Sequence, residues 1–218
     1  MRNLKIGGIN IAVPVIQGGM GVGISMSKLA VAVANQGGVG VISAAGLGLV
    51  HRNPALSYLE ANMEGLRIEL QKARERTRGV IGVNIMVAMT NFADLVRTAV
   101  SEKADIIFSG AGLPLDLPSF LKPESLTKLV PIVSSGRAAK IICEKWKSMH
   151  NYLPDAFVVE GPKAGGHLGF KKGKLDDANN SLEELVSDVV KEVSFYEEKY
   201  QKEIPVIAAG GIYTGQDI

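Results

Sequence analysis

The sequence of 218 residues has little cysteine, few aromatic side chains and no strong excess of charge. Its single cysteine, Cys143, excludes an intramolecular disulfide and a metal site built from several cysteines. Aromatic residues make up 6% of the chain and the net charge is +2 with no dense basic stripe, so a dedicated nucleic-acid-binding surface is not expected. No metal-ligand spacing is visible.

Long apolar runs are also lacking. None reaches the ~18 residues of a membrane span, and the first residues lack the apolar stretch of a signal peptide. The sequence therefore predicts a globular, cytoplasmic protein that neither enters a membrane nor binds nucleic acid.

Glycine, in contrast, is abundant, with 25 residues against a usual share of ~7%. The glycines cluster directly after apolar runs that are typical of buried strands. Seven such runs alternate with helical patterns, and they cover residues 13–16, 39–43, 80–86, 105–108, 129–133, 156–159 and 204–209. Alternation of this kind predicts βα units and a parallel sheet.

Two arrangements of that sheet compete. An open dinucleotide-binding sheet should carry G-x-G-x-x-G after its first strand, and residues 19–23 match this pattern poorly. Strands that nearly all end in Gly, Ser or Asn favour a TIM-type (β/α)₈ barrel, in which ligands bind at the carboxyl ends of the strands. We therefore expect one barrel domain over residues 1–218, truncated after the seventh strand and lacking the eighth βα unit.

The glycine-rich segment after the sixth strand carries the candidate catalytic residue, His167. A histidine exchanges protons near neutral pH, which suits a general base or acid, although a loop histidine can also only pack. Asn84, at the end of the third strand, could contact a ligand or satisfy backbone groups. Ser135 could contact substrate or cap the helix that follows it.

Five segments of the chain resemble the nitronate monooxygenase family, formerly called 2-nitropropane dioxygenase, which includes the flavin-dependent enoyl-acyl-carrier-protein reductases. They are residues 17–21 (QGGMG), 37–40 (GGVG), 82–86 (GVNIM), 160–169 (EGPKAGGHLG) and 204–212 (IPVIAAGGI). The resemblance covers nearly the whole chain in order and implies a barrel that binds FMN.

By position, the resemblance implies that His167 is the base or proton donor near the flavin. It implies cofactor contacts from Gln17, Gly19, Met20, Asn84, Glu160, Gly165, Gly210 and Gly211, with Gly210 and Gly211 forming half of the phosphate site. Substrate would contact Ser135 and Gly166. Two residues depart from the family pattern, since Glu160 replaces a common glutamine and Lys163 a common glutamate. The family's Gln-x-Gly-Thr turn after strand eight is absent, so we expect this chain to bind FMN weakly or not at all.

The resulting functional hypothesis is an FMN-dependent oxidoreductase that oxidises alkyl nitronates with dioxygen. The alternative within the same class is an enoyl-thioester reductase that uses NAD(P)H. The alternative of another class is a non-catalytic ligand-binding domain or an inactive truncated barrel. In each case we expect a small-molecule ligand, and the sequence leaves the oligomeric state open, a homo-oligomer included.

Overall fold

The protein is described by a computed structural model over residues 4–166, 169 and 181–217. Its main sheet has six parallel strands in chain order and is curled into a half-barrel. These strands are β3 (Val39–Ser43), β4 (Val80–Met86), β5 (Ile106–Gly110), β6 (Lys128–Val133), β7 (Phe157–Glu160) and β8 (Val206–Ala209). The helices are α1 (Ser27–Asn35), α2 (Leu47–Val50), α3 (Tyr58–Arg76), α4 (Phe92–Ser101), α5 (Gly136–His150) and α6 (Leu182–Tyr200). The predicted α/β fold with a curved parallel sheet is confirmed.

Alternating side chains of the strands fill two separate apolar layers. One layer lies between the sheet and its helices and includes Ile81, Val83 and Val159. The other lies on the concave face and includes Val41 and Val158. Because successive strand residues point to opposite faces, each strand can pack against helices on one side and line the inside of the half-barrel on the other.

A hairpin of β1 (Leu4–Ile6) and β2 (Ile9–Ile11) precedes the barrel strands, and the sequence reasoning missed it. Ile6 and Ile11 join the concave apolar layer, where their burial stabilises the amino-terminal end of the sheet. The signal was the two-residue turn Gly7-Gly8 between short apolar segments, a pattern typical of a tight hairpin.

The predicted strand at residues 13–16 is only partly confirmed. Its one bridge joins Ile16 to Val39 of β3, and the backbone N–H of Val39 donates to the carbonyl of Val15 at 3.0 Å. The segment therefore lies beside β3, as expected of a first barrel strand. Pro14 has no backbone N–H to donate, which helps explain why the pairing is short.

One predicted helix start and one predicted helix cap were wrong. The sequence favoured Asn53-Pro54 as the start of the long helix, but α3 begins at Tyr58, where Ser57 and Glu60 form a reciprocal capping box. A serine cap was also expected for α1. Its N-cap residue is instead Met26, without a side-chain cap, and a distant carboxylate replaces the serine.

That carboxylate is Glu69 of α3, a buried group whose Oε2 accepts a hydrogen bond from the backbone N–H of Ser27 at 2.8 Å. His51 Nε2 lies 2.9 Å from its other oxygen, and Lys72 donates to it at 3.3 Å. Burial is the largest single influence on the pKa of Glu69 and raises it. The hydrogen bonds from Ser27 and Lys72 together have a larger effect in the opposite direction, so the pKa of Glu69 is lowered overall. An ionised carboxylate therefore sits at the positive end of α1, where it is favoured.

The single cysteine lies in the protein interior. Cys143 is fully buried, and burial raises the pKa of its thiol to about 12. Within the described ranges, none of the helices is both long and apolar enough to span a bilayer. Over the same residues, no group of three or more His, Cys, Asp or Glu side chains is arranged to hold a metal ion.

Candidate active site at the carboxyl ends of the strands

The carboxyl ends of the parallel strands bring several candidate residues onto one concave surface. Asn84 follows the alternation of Gly82 and therefore shares the concave face, whereas Val83 packs toward the helices. Glu160 ends β7 two residues after the concave-facing Val158. An amide and a carboxyl group thus project from β4 and β7 on the same side of the sheet.

The loop after residue 16 lies across this surface and connects its two sides. Gly19 is so close to Asn84 that a Cβ at position 19 would overlap the Cβ of Asn84. The next residue, Met20, has its Cε 3.8 Å from the position that a Cβ on Gly165 would occupy. The loop therefore contacts the end of β4 at Gly19 and the segment after β7 at Met20. Four predicted site residues are brought together in this way.

The loop owes its shape to Ser25, which the sequence reasoning had considered only as a helix cap. Its buried hydroxyl accepts hydrogen bonds from Gln17 Nε2 at 3.0 Å and from the backbone N–H of Met20 at 2.9 Å. The same hydroxyl donates to the carbonyl of Gly18 at 3.1 Å. Ser25 thus fastens both ends of the loop segment that carries Gly19 and Met20. No spacing rule in the sequence could have identified this role.

Gln17 uses its side-chain amide within the protein. In addition to the bond to Ser25, its Nε2 donates to the carbonyl of Val41 at 3.1 Å, and its Oε1 accepts from the N–H of Val41 at 3.3 Å. These bonds attach the segment before the loop to β3. A contact of Gln17 with a cofactor stays a prediction.

Glu160 is half-buried, and its side chain accepts no hydrogen bond from the described residues and forms no ion pair with them. Burial raises the pKa of its carboxyl group above the ordinary value of 4.5. The site therefore contains a carboxyl group that keeps its proton more readily than an exposed glutamate does.

A small cavity of about 130 Å³ adjoins the end of β8. It is lined by Pro162, Lys163, Ser181, Leu182, Glu183, Gly210 and Gly211. Gly210 and Gly211 both have positive φ, 94° and 87°, and a Cβ at Gly210 would lie 2.8 Å from the Cβ of Ala164. Glycine is required at position 210 both for this backbone conformation and for the close approach. Ser181 was not among the predicted site residues.

The remaining candidates lie near the ends of β6 and β7. Ser135 is the N-cap of α5, and its Oγ accepts from the N–H of Ala138 at 3.2 Å, so the capping interpretation is confirmed. Gly166 is exposed with a φ of 89°. Gly169 lies beside Ser134, since a Cβ at position 169 would be 2.6 Å from the Ser134 Oγ. His167, the predicted catalytic residue, lies outside the described residues.

Proteins with curated descriptions resemble this chain at moderate identity. It is 25% identical over 210 residues to the (3aS,4S,5R,7aS)-5-hydroxy-7a-methyl-1-oxo-octahydro-1H-indene-4-carboxyl-CoA dehydrogenase of Rhodococcus jostii (strain RHA1), with 96% of this chain and 48% of that protein covered. It is 26% identical over 232 residues to a probable nitronate monooxygenase of Staphylococcus aureus (strain JH9), with 96% and 61% covered. The chain spans about half the length of the curated relatives it matches.

Solved structures with the same fold include FabK from Thermotoga maritima. That structure has a TM-score of 0.68 and 29% sequence identity, with 95% of this chain and 53% of FabK covered. A nitroalkane oxidase from Streptomyces ansochromogenes has a TM-score of 0.72 at 20% identity, with 95% and 61% covered, and this likeness concerns the fold alone.

The family comparison covers nearly every residue. A family model described as nitronate monooxygenase matches residues 2–218, which include the loop at Gly19, the strand end at Asn84, the segment after Glu160 and the glycines at 210 and 211. The chain therefore belongs to the nitronate monooxygenase family of flavin-dependent oxidoreductases.

Proposed function

We propose that this chain binds FMN at the carboxyl ends of its strands and forms the cofactor-binding part of an oxidoreductase. The observation that carries the proposal is the concave surface between Asn84 and Glu160, crossed by the loop of Gly19 and Met20. Ligands of barrel enzymes bind at this end of the strands. Glycines at this surface leave room for a flat ring system to approach the backbone closely.

The polar groups at this surface suit the ring of a flavin. The side-chain amide of Asn84 has no hydrogen-bond partner among the described residues, and it can both donate to and accept from the edge of the ring. Met20 is 47% exposed and adjoins Gly165, so it can pack against a ring face. Gln17 would support these contacts through Ser25.

The cavity beside β8 suits a phosphate group. Gly210 and Gly211 turn the backbone there, and Lys163 supplies a positive charge. The cavity also borders the amino terminus of α6, where backbone N–H groups favour an anion. Glu183 opposes that preference with its negative charge. These features support FMN binding of limited strength.

FMN, when bound, supplies one- and two-electron transfer. We propose that His167 holds or moves a proton beside it, and that Ser135 and Gly166 contact the substrate. For the whole protein, oxidation of an alkyl nitronate by dioxygen is the leading proposal, in keeping with the family of the chain.

A second candidate reaction is the reduction of an enoyl thioester by NAD(P)H. Two observations favour it specifically. The relative from Rhodococcus jostii is named for a substrate that is a CoA thioester. In addition, Glu160 introduces an acidic group into the site, and a carboxylate disfavours an anionic nitronate more than a neutral thioester.

Titration of the purified chain with FMN, followed by quenching of flavin fluorescence, tests cofactor binding. We expect saturable binding that Gly210→Ala weakens at least tenfold, because the new Cβ needs strained backbone and meets Ala164. Gly8→Ala is the matched control, since Gly8 has a φ of 95° but a Cβ there would meet no atom within 4 Å. The proposal is wrong if FMN up to millimolar concentration does not bind, an outcome that would favour a non-catalytic domain.

Two assays separate the reactions. Oxygen uptake on addition of propane-2-nitronate supports the oxidase reaction, and anaerobic bleaching of the flavin by NADPH or NADH supports the reductase. The matched variant is His167→Ala, for which we expect loss of turnover with retained flavin. Retained turnover in that variant would contradict the role of His167.

A further inference from the structure

Glu160 is an acidic residue of the concave site, and its charge bears on which of the two candidate substrates the site accepts. Its carboxyl group projects into the half-barrel from the end of β7, on the face of Val158. Glu160 is half-buried there, and the concave face below it is apolar, with Val158 and Phe108. An ionised group in such a position acts on nearby charges with little screening.

The groups that the structure describes around Glu160 do not neutralise it. Ala209 of β8 pairs with Glu160, Ile132 of β6 pairs with Val158 two residues earlier, and Asn84 lies across the concave surface. Lys163 follows in the chain, but its side chain packs along Gly211, and Asp217 interacts with it there. The other titratable groups of the segment after β7 are His167 and the charged residues at positions 171, 172, 174, 176 and 177, which lie outside the described residues.

We propose that Glu160 controls the charge of the substrate that this site accepts. In its protonated form the side chain tolerates an anionic substrate, and in its ionised form it repels one. A neutral substrate is insensitive to this change. The inference rests on the proposed function, because it assigns Glu160 a place beside the reacting part of the substrate.

The pKa of Glu160 decides over which pH range this control operates. Burial favours the neutral form and raises the pKa of Glu160, so the protonated side chain persists to a higher pH than that of an exposed glutamate. A bound anion favours the neutral form further. Use of an anionic nitronate should therefore decline as pH rises through the pKa of Glu160, whereas use of a neutral thioester should not.

The first measurement needs no flavin. Carboxyl ¹³C NMR of the glutamate-labelled chain, with Glu160→Gln to assign the signal, should show that Glu160 titrates above 4.5, the ordinary value. Titration at or below that value would overturn the inference, whatever the cofactor does.

The second measurement is kcat/KM of Glu160→Gln divided by kcat/KM of the wild type, determined across pH. The ionisation of the nitronate itself affects both proteins equally and therefore cancels in this ratio. With propane-2-nitronate and FMN present, the ratio should rise at least about tenfold from low to high pH, the order expected for two like charges several ångströms apart. With the uncharged crotonyl N-acetylcysteamine thioester the ratio should stay flat. Glu124→Gln removes an exposed carboxylate from the loop before β6, at the amino-terminal end of the sheet, and should give a flat ratio with both substrates.

The outcomes separate the two proposals. A flat nitronate ratio in a flavin-loaded, active protein would refute the role of Glu160 and leave the proposed function intact. A failure of both wild type and Glu160→Gln to bind FMN would refute the proposed function, and the substrate control with it.

Discussion

Ser25→Ala should destabilise the protein and detach the loop that crosses the candidate site. The hydroxyl of Ser25 is 1% exposed and makes three hydrogen bonds, with Gln17 Nε2, the N–H of Met20 and the carbonyl of Gly18. Alanine fits the same space but cannot take part in any of them. The donors on Gln17 and Met20 then lose an acceptor inside a tightly folded loop.

The expected loss of stability follows from those two donors. A buried donor left without a partner costs about 1–3 kcal/mol, and water can reach this loop in part because Met20 is 47% exposed. We therefore take the lower end of that range for each donor and expect a loss of about 2 kcal/mol in the free energy of unfolding. For a chain of this size that corresponds to a decrease in Tm of roughly 4–8 °C.

Urea unfolding followed by circular dichroism measures this loss. Ser194→Ala is the matched control, because the Ser194 hydroxyl donates only to the helical carbonyl of Val190 and is exposed. We expect the control to stay within about 0.5 kcal/mol of the wild type. If Ser25→Ala unfolds within 0.5 kcal/mol of the control, the idea that Ser25 fastens the loop is refuted. If Ser25→Ala is destabilised as expected, its affinity for FMN should also fall, whereas that of Ser194→Ala should not.

Two further predictions concern the helices behind the sheet. Gly40→Ala should lower the free energy of unfolding by about 3 kcal/mol or more, because a Cβ at position 40 would overlap the carbonyl of Ala30. Gly18→Ala is the control, since a Cβ at position 18 would meet no atom within 4 Å. It should cost far less in the same urea experiment. The pKa of Glu69 is lowered in the folded state, so its ionisation stabilises the protein at pH values above the ordinary 4.5, and this contribution disappears as pH falls through the lowered pKa. The stability difference between wild type and Glu69→Gln should therefore be largest at neutral pH and shrink in acid, and a difference that does not change with pH would contradict the ionised state of Glu69.

Local patterns determined much of the fold. The strand at residues 39–43 has the predicted bounds, and the apolar stripe at helical spacing from Leu182 to Tyr200 coincides with α6. An apolar run or a helical stripe bounded by turn or cap residues needs no distant partner to be recognised. The order of βα units also follows from the sequence, and the resemblance of five segments indicated the family that the family model confirms. Glycines after the strands indicated which end of the sheet carries the candidate site.

Only the tertiary structure decided the features that depend on residues far apart in the chain. Glu69 takes the place of a serine cap at α1 from 42 positions away, and Ser25 receives Gln17 and Met20 in a loop whose path no periodicity encodes. In each case an isolated polar residue gave no signal because its partner is fixed by packing rather than by spacing.

For the candidate site, too, the sequence and the tertiary structure determined different features. The sequence by itself determined the candidates, since Asn84 lies near the end of one predicted strand, and Glu160 and Gly19 follow two others. The tertiary structure decided that Gly19 lies against Asn84, that Met20 reaches Gly165, and that Glu160 shares their concave surface without a described partner. The physical reason is that curvature of the sheet, set by the packing of both its faces, determines which strand ends meet.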